Sequence, residues 1–447
     1  MSDQPLRSST PGVPASAATP GKGHPAPRKA IVKGLASLAG ILLLGANCPA
    51  QTLPDNTHWV SSWGAGQQVP EPNNALPPDD LRDTTLRQIV HLSLGGPSLC
   101  LHLSNAFGTE PLHLSSVHLA RPVSPAGAAL VPGTDHVVTF AGSPDVMIPA
   151  GADYLSDPIA FPVAPSSDLA VSIHYIDPPA RQTSHPGSRS TSYYVHGEQA
   201  SALDLPGAKT VEHWYQISEI DVAAPPAASS IVAFGDSITD GHGATTNGND
   251  RWPDNLGRRL LAAPATRNIG VINLGIGGGR VLLDGLGPNA LARFDRDVLG
   301  RAGAQFVILL EGINDLGTFT REAEKTPAEH DAHVKQMIAG YAQFIERAHG
   351  RGVQVFGATI TPDGGSGYYH PGPLSEADRQ TLNTWIRTPG HFDGVVDFDK
   401  AVRDPAQPDH LLPAMDSGDH LHPSAAGYRA MSDAIPLQLF QTGKSHR

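Results

Sequence analysis

The sequence predicts an α/β domain with a parallel sheet, preceded by an antiparallel β-sandwich domain. Two patterns support this prediction. In the first half of the chain, apolar and polar residues alternate with period two between glycine- and proline-rich clusters, which is typical of antiparallel strands. In the second half, wholly apolar runs alternate with amphipathic helical stretches, which is typical of buried parallel strands covered by helices.

Composition sets limits on the class of protein. The 447 residues are 40% hydrophobic and 17% charged, with a net charge of -12. This suits a globular chain of two domains. An acidic chain lacks the basic face that nucleic acid requires and does not favour an anionic membrane surface. We therefore expect no nucleic-acid partner.

Residues 1–50 are predicted to be a disordered leader followed by a signal peptide. Three basic residues precede the apolar run 34–46, which is too short for a comfortable membrane span. We expect export to the periplasm or the exterior, cleavage near Ala50 and no stable membrane anchor. A lipoprotein made at Cys48 is less favoured, because the preceding residue suits that processing poorly. Cys100 is then expected to be a buried residue without a disulfide partner.

The domain bounds follow from the change of pattern. Residues 55–222 are predicted to form the β-sandwich, with the clearest alternation at 99–103 and 169–175. Residues 223–228 are rich in proline and alanine and are predicted to be a linker. Residues 229–440 are predicted to form the α/β domain.

Four polar residues attract attention in the first domain: Arg87, Asn105, His185 and Arg189. The simpler interpretation is that they are satisfied polar groups at strand ends and in loops. The alternative is that this domain supplies part of a substrate groove or binds a polysaccharide that carries the substrate. The sequence does not decide between them.

In the second domain, the long helix 327–349 has the clearest signals. Thr326 and Glu329 form a capping box, and a proline stands at the first helical position. A second helix is predicted at 375–386. The predicted buried strands are 231–234, 269–274, 306–310, 353–360 and 395–398.

Polar or glycine-rich segments follow three of these strands. Ser237 follows the first strand, at the edge where open α/β sheets place their chemistry, and is a candidate nucleophile. Taken alone, its Gly-Asp-Ser sequence would be better explained as a turn. The glycine-rich run 275–279 follows the second strand, but Arg280 stands where a dinucleotide fingerprint needs a glycine. Asn314 follows the third strand.

A segment just before the last helix supplies a base and its partner. His422 can take a proton from Ser237, and Asp419 is spaced to orient His422. His420 in place of His422, and Asp416 in place of Asp419, are the weaker alternatives. Attack on an ester would create an oxyanion.

Three groups are expected to bind that oxyanion. They are the backbone N–H groups of Ser237 and Gly278 and the side chain of Asn314.

These segments resemble, in order, the four blocks of the SGNH (GDSL-type) hydrolases, a family of esterases and lipases. The blocks are Gly-Asp-Ser-Ile at 235–238, Asn-Leu-Gly-Ile-Gly-Gly at 273–278, Gly-Ile-Asn-Asp at 312–315 and Asp-His-Leu-His-Pro at 419–423. The resemblance covers residues 229–440 and implies a flavodoxin-like α/β/α fold. Together with a β-rich first half, it resembles two-domain bacterial members of the family. Some relatives deacetylate plant polysaccharides, which makes an acetylated glycan a reasonable substrate.

We therefore expect a secreted serine esterase that hydrolyses short-chain or acetyl esters and uses no cofactor and no metal. Tyr368, Tyr369 and His370 are predicted to border the pocket and stack on a sugar, although a plain surface loop explains them as well. The alternatives are an acyltransferase using the same residues, a metal-dependent hydrolase built on the Asp/His cluster, and a carbohydrate-binding protein with a decayed hydrolase domain.

Overall fold

The first half of the chain is antiparallel and rich in strands, as predicted. A computed structural model describes residues 57–441. The strands of this half are β1 (Trp59–Gly64), β2 (Thr84–Leu92), β3 (Leu99–Ser104), β4 (Leu112–Ala120), β5 (His136–Val137), β6 (Val146–Ile148), β7 (Asp153–Leu155), β8 (Ser167–Tyr175), β9 (Ser184–His185), β10 (Ser192–His196), β11 (Lys209–Val211), β12 (Trp214–Tyr215) and β13 (Ile217–Ala223). One sheet has four strands in the order β1-β13-β3-β7. A second sheet has seven strands, in the order β11-β10-β2-β8-β4-β5 with β6 beside β4, and β9 pairs with β12.

The second half is built on a five-stranded parallel sheet, also as predicted. The strand order is β15-β14-β16-β17-β18. The strand that leads to Ser237, β14, therefore lies between β15 and β16. Every paired neighbour in this sheet is parallel. These strands are β14 (Ser229–Gly235), β15 (Ile269–Gly275), β16 (Ala304–Leu310), β17 (Gln354–Ala358) and β18 (Gly394–Val396).

Helices follow the strands of this sheet. The helix at Pro327–His349 begins at the predicted capping box: Glu329 N donates to Thr326 Oγ1 at 3.3 Å, and Thr326 N donates to the Glu329 carboxylate at 2.7 Å. The helices of the described residues are α1 (Pro78–Leu81), α2 (Ser237–Asp240), α3 (Trp252–Ala262), α4 (Ala290–Phe294), α5 (Ile313–Arg321), α6 (Pro327–His349), α7 (Pro373–Arg387), α8 (Phe398–Val402) and α9 (Ala425–Asp433).

Each half has its own hydrophobic core, and the described residues form one compact unit. Arg301 of the second half pairs with Glu219 of β13 at 2.7 Å, and both side chains are buried. Cys100 is buried and free, as expected. The bounds at 222 and 229 and the sandwich description stay predictions.

The predicted leader and signal peptide, with Cys48 and Ala50, lie outside the described residues. Within 57–441, no helix has the length and apolar character needed to cross a membrane.

A buried guanidinium joins the ends of three strands below the region where Ser237 lies. Arg293 donates to Leu274 O at 2.6 Å and to Gly235 O at 2.9 Å. It also pairs with Glu311, just after β16, and with Asp297, both at 3.1 Å. All three charged side chains are fully buried, so the paired charges and carbonyl contacts offset the cost of removing them from water.

The glycine at the end of β15 is required by close packing against α2. An added Cβ at Gly275 would lie 2.3 Å from the backbone nitrogen of Asp240, a distance that forces the helix to move. We expect Gly275→Ala to lower the free energy of unfolding by about 1–3 kcal/mol. It should also lower the expected esterase activity, because α2 carries the candidate nucleophile Ser237. Urea unfolding and a rate assay measure both effects. Gly127→Ala is the control, because its nearest atom is 4.0 Å away, and equal effects from the two variants would contradict the packing argument.

Candidate active site

Ser237 occupies the first position of the short helix α2, directly after β14. Asp236 caps this helix, since its Oδ1 accepts the backbone N–H of Ile238 at 2.9 Å. Gly241 ends the helix with φ at +104°, a left-handed conformation that favours glycine. The turn therefore holds Ser237 at the carboxyl edge of the sheet, where its Oγ lies 2.8 Å from His422 Nε2.

His422 is oriented by Asp419 through two hydrogen bonds. The Nδ1 of His422 lies 2.7 Å from Asp419 Oδ2, and its backbone N–H donates to Asp419 Oδ1 at 2.8 Å. Leu421 N donates to the same carboxylate at 3.0 Å. Partial burial raises the pKa of Asp419, but the hydrogen bonds from His422 outweigh it and hold that pKa below its usual range. Asp419 is therefore ionised whenever His422 can act as a base.

The alternative residues of this segment form a separate pair. His420 Nδ1 lies 2.6 Å from Asp416 Oδ2, and the His420 ring is 55% exposed. The structure thus brings Ser237 to His422 and not to His420.

Asn314 and Gly278, the residues predicted to bind an oxyanion together with Ser237, line the same pocket as Ser237. Asn314 is the second residue of α5, and its Nδ2 donates to Gly279 O at 2.8 Å while its Oδ1 accepts the Tyr369 hydroxyl at 2.6 Å. Because the Gly279 carbonyl can only accept, it fixes which end of the Asn314 amide is nitrogen, and the second N–H of that amide is left for the pocket. Gly278 has φ at +67°, a conformation that favours glycine.

Two further groups are available to an anion. Among residues 57–441, the backbone N–H groups of Ser237 and Gly278 donate to no other protein atom. Asp315 holds the loop that follows Gly278, since its carboxylate accepts the N–H groups of Val281 and Leu282 at 2.8 and 3.1 Å. The free N–H of Gly278 thus lies beside a braced loop, whereas that of Ser237 belongs to α2.

Ser237, Gly278, Asn314, Asp419 and His422 line one pocket of about 510 Å³. Tyr368 lies on its wall and is 60% exposed. Tyr369 also lines the pocket, but its side chain is buried. Its hydroxyl donates to Asn314 Oδ1, so Tyr369 supports Asn314 and does not present an open ring face to a sugar. His370 is exposed and does not line this pocket. The lining residues are Ser237, His242, Gly277, Gly278, Arg280, Gly285, Leu286, Asn314, Thr318, Arg321, Tyr368, Tyr369, Asp419, Leu421 and His422.

His242 is a residue of the site that the sequence does not single out. Its ring centroid lies 4.1 Å from that of His422, and its Nε2 lies 3.8 Å from Asp419 Oδ2. The one feature of the sequence that could have indicated His242 is its position, five residues after Ser237 and just past the end of α2.

A family model described as GDSL-like Lipase/Acylhydrolase family matches residues 233–430. Residues 233–430 thus form a GDSL-like domain within the chain, and the match supports carboxylic ester hydrolysis as the chemistry of that domain. No curated protein matches the sequence.

Solved structures similar to the GDSL-like domain include three hydrolases. A putative lipolytic protein of the G-D-S-L family from Desulfitobacterium hafniense is 22% identical, with a TM-score of 0.34, over 46% of this chain and 97% of that one. A variant of an acetyl xylan esterase from Geobacillus stearothermophilus is 21% identical, with a TM-score of 0.35, over 49% and 99%. The aryl esterase of M. smegmatis is 19% identical, with a TM-score of 0.35, over 48% and 99%. These values describe a distant likeness and say nothing about the substrate of this chain.

Two groups of side chains in the described residues offer ligand atoms close enough to hold a metal ion. One is His242, Asp419 and His422 of the GDSL-like domain, and the other is His102, Glu219 and Asp221 of the first half. In the first group, both ring nitrogens of His422 are already engaged by Ser237 and Asp419. In the second group, Glu219 is already paired with Arg301.

Buried carboxyl groups lie beneath the site of the GDSL-like domain. Complete burial raises the pKa of Asp236 to about 7, and the nearby Asp315 adds to the rise. Burial likewise raises the pKa of Asp315 to about 6. These groups keep protons in the folded protein at a pH where they are ionised in the unfolded chain.

The raised pKa of Asp236 predicts a pH-dependent effect of Asp236→Asn. Between about pH 4 and pH 7 the folded wild type holds a proton that the unfolded chain has lost, so its free energy of unfolding falls as the pH rises. Asparagine keeps the oxygen that caps α2 but does not titrate. We expect the stability of Asp236→Asn relative to wild type to increase with pH, by about 1.4 kcal/mol for each unit of raised pKa.

Denaturant unfolding at a series of pH values measures this difference. Asp331→Asn, at an exposed position of α6, is the control and should show no such trend. A difference for Asp236→Asn that stays constant from pH 4 to pH 8 would contradict the burial argument.

Proposed function

We propose that this chain is a serine esterase that hydrolyses short-chain or acetyl esters, with acetylated carbohydrates as natural substrates. One observation carries the proposal: Ser237 Oγ lies 2.8 Å from His422 Nε2, and His422 Nδ1 lies 2.7 Å from Asp419. This is the arrangement that activates a serine hydroxyl for attack on an ester carbonyl.

In the proposed reaction, Ser237 Oγ bonds to the carbonyl carbon while His422 takes its proton and Asp419 stabilises the imidazolium. The carbonyl oxygen becomes an oxyanion, which the N–H groups of Ser237 and Gly278 and the side chain of Asn314 would bind. His422 then gives its proton to the leaving alcohol as the carbon–oxygen bond breaks. Water, deprotonated by His422, releases the acid from Ser237 by the same steps in reverse order.

The character of the pocket supports a carbohydrate substrate. Apart from Leu286 and Leu421, its lining side chains are polar, aromatic or absent, as at glycine. Hydroxyl-rich ligands need such hydrogen-bonding groups, and the exposed ring of Tyr368 offers a face for a sugar.

Export forms part of the proposal and depends on the sequence alone. The apolar run 34–46 after three basic residues supports a signal peptide cleaved near Ala50. An acetylated glycan outside the cell would then be within reach of the enzyme.

Hydrolysis of p-nitrophenyl acetate tests the serine mechanism. We expect Ser237→Ala to abolish the activity and Asn314→Ala to lower kcat by about 100- to 1000-fold without unfolding the protein. Chelator should leave the wild type active. Ser124→Ala, in an exposed loop, is the matched control and should keep full activity. Activity that survives Ser237→Ala, or that chelator removes and zinc restores, would contradict the proposal and favour metal chemistry.

Acetylated oligosaccharides test the substrate class. We expect higher kcat/KM for an acetylated xylo-oligosaccharide than for p-nitrophenyl decanoate. Release of free acetate in the presence of unacetylated sugar supports hydrolysis, whereas quantitative transfer of the acetyl group to that sugar would identify an acyltransferase.

A further inference from the structure

The loop after β9 in the β-rich half lies against the segment that follows Ser237. His185 Nε2 is 2.9 Å from Asp240 Oδ1, and both side chains are buried. The other ring nitrogen of His185 lies 2.7 Å from Gly66 O. Gly187 approaches so closely that an added Cβ would meet the Asp240 carboxylate. Helix α2, which carries Ser237, is thus held at its last residue by the β-rich half.

The same loop makes a second set of contacts four residues further on. Arg189 has a left-handed backbone with φ at +49°, which costs free energy for a residue with a side chain. Asn247 holds this conformation: its N–H donates to Arg189 O at 2.8 Å, and its side-chain oxygen accepts Thr191 N at 2.8 Å. These contacts offset the strain and fix the backbone from which the Arg189 side chain extends.

The side chain of Arg189 reaches His242. Its Nη2 lies 3.1 Å from His242 Nδ1. Because a guanidinium can only donate, this nitrogen of His242 must be the acceptor, and its ring proton is then on Nε2. That Nε2 faces Asp419 Oδ2 at 3.8 Å, and the ring lies 4.1 Å from His422 between centroids. The Tyr428 hydroxyl donates to His242 O at 2.5 Å and fixes the backbone.

We propose that Arg189 and His242 are positioning residues for the catalytic histidine, so that the β-rich half completes the active site. Arg189 keeps His242 uncharged with its N–H towards Asp419. His242 in turn covers one side of His422 and holds its ring in line with Ser237. This inference rests on the proposed serine mechanism.

The electrostatic surroundings of His242 agree with this role. It faces His422 and Asp419 from the loop before α9, Asp240 from α2, Arg189 from the β-rich half and Tyr428 from α9. Partial burial and the charges of His422 and Arg189 lower the pKa of His242 to about 4. His242 therefore does not compete with His422 for the proton of Ser237.

Arg189→Met and Arg189→Lys in the full chain test the proposal. We expect Arg189→Met to lower kcat for p-nitrophenyl acetate by about 10- to 100-fold, because small displacements of a catalytic group have effects of this size, while KM stays within about twofold. Lysine can donate one hydrogen bond and should restore part of kcat. Arg82→Met, which removes an exposed arginine of the same half paired with Asp177, is the control and should change neither constant.

A double-mutant cycle separates positioning from general damage. His242→Gln lies at a half-exposed position, and we expect it to lower kcat as Arg189→Met does. The double variant should be no slower than His242→Gln, because Arg189 acts through His242. NMR titration gives a second readout, in which the pKa of His242 should rise in Arg189→Met.

Wild-type kcat in Arg189→Met and His242→Gln, or fully additive losses with an unchanged His242 titration, would overturn the inference. If Ser237→Ala keeps its activity, the serine mechanism fails instead, and the two failures are distinguishable.

A second inference comes from the charge of the pocket wall. Two arginines, Arg280 and Arg321, line the pocket although the chain has a net charge of -12. The acidic residue of the wall, Asp419, is already engaged by His422. Arg321 lies over the Tyr368 ring at 5.2 Å, and its Nη2 is 3.4 Å from the exposed carboxylate of Glu322. Arg280 donates to Thr318 Oγ1 at 3.2 Å and to Asp284 O, and its Nε has no partner among the described residues.

We infer that the substrate carries a carboxylate near the scissile ester, as an esterified acidic sugar would. Guanidinium groups bind carboxylates through two parallel hydrogen bonds, which gives both affinity and orientation. Arg321 and Arg280 would then select anionic esters over neutral ones of the same shape. This inference also rests on the proposed esterase activity.

Matched pairs of esters test the preference. The charge is placed on the alcohol side in p-acetoxybenzoate against p-acetoxybenzamide, and on the acyl side in mono-p-nitrophenyl succinate against the corresponding succinamate. We expect about a tenfold higher kcat/KM for the anion of at least one pair, since hydrogen bonds to charged groups have this strength. Arg321→Gln combined with Arg280→Gln should remove the preference. Arg351→Gln, at an exposed position off the pocket, should keep it.

Equal rates for both pairs in the wild type, or a preference that survives the double substitution, would overturn this inference. Loss of activity on the neutral esters in Ser237→Ala, measured in parallel, shows whether the esterase proposal itself holds.

Discussion

The guanidinium of Arg293 holds together the strand ends on which the candidate site is built. It donates to the carbonyl of Gly235, the last residue of β14, and to that of Leu274, the second-to-last residue of β15, and it pairs with Glu311, just after β16. Ser237, Gly278 and Asn314 each follow one of these three strands. Since all of them leave the same edge of a parallel sheet, their distances depend on the register of the sheet and on this buried ion pair. The acidic groups below the site are tolerated because this positive charge, and protonation, compensate for their burial.

Local patterns account for what the sequence predicts correctly. Wholly apolar runs mark the central strands, and the capping box at Thr326 fixes the start of a long helix, so both were predicted from neighbouring residues alone. The polar residues after the strands were predicted to meet because parallel strands share an edge. Their family was predicted from the same short blocks and is confirmed by the match at 233–430.

Long-range contacts account for what the sequence does not predict. Tyr369 was expected to offer its ring to a sugar, but it is buried and its hydroxyl orients Asn314, 55 residues earlier in the chain. His242 meets His422 only because the segment after α2 folds back on the loop before α9. The sequence singles out His185 and Arg189 only as polar residues of the first half. Their contacts with Asp240 of α2 and with His242 join distant parts of the chain, and no local spacing predicts them. Such contacts depend on how the two halves meet, which no local pattern encodes.

The two halves are therefore best regarded as one catalytic unit. Hydrogen bonds from the β-rich half reach the helix that carries Ser237 and the neighbour of His422, so the first half does more than accompany the GDSL-like domain. We interpret the β-rich half as a fixed support for the proposed catalytic residues, whereas the residues that line the candidate pocket all belong to the second half.

Direct detection of the acyl-enzyme tests the central claim most sharply. The full chain would be mixed with p-nitrophenyl acetate, quenched in acid within the first turnover and analysed by peptide mapping and mass spectrometry. We expect one acetyl group on the peptide that contains Ser237, attached at Ser237 itself and lost when the reaction runs to completion. An acetyl group at another residue, or turnover with no acylated peptide at any quench time, would contradict it.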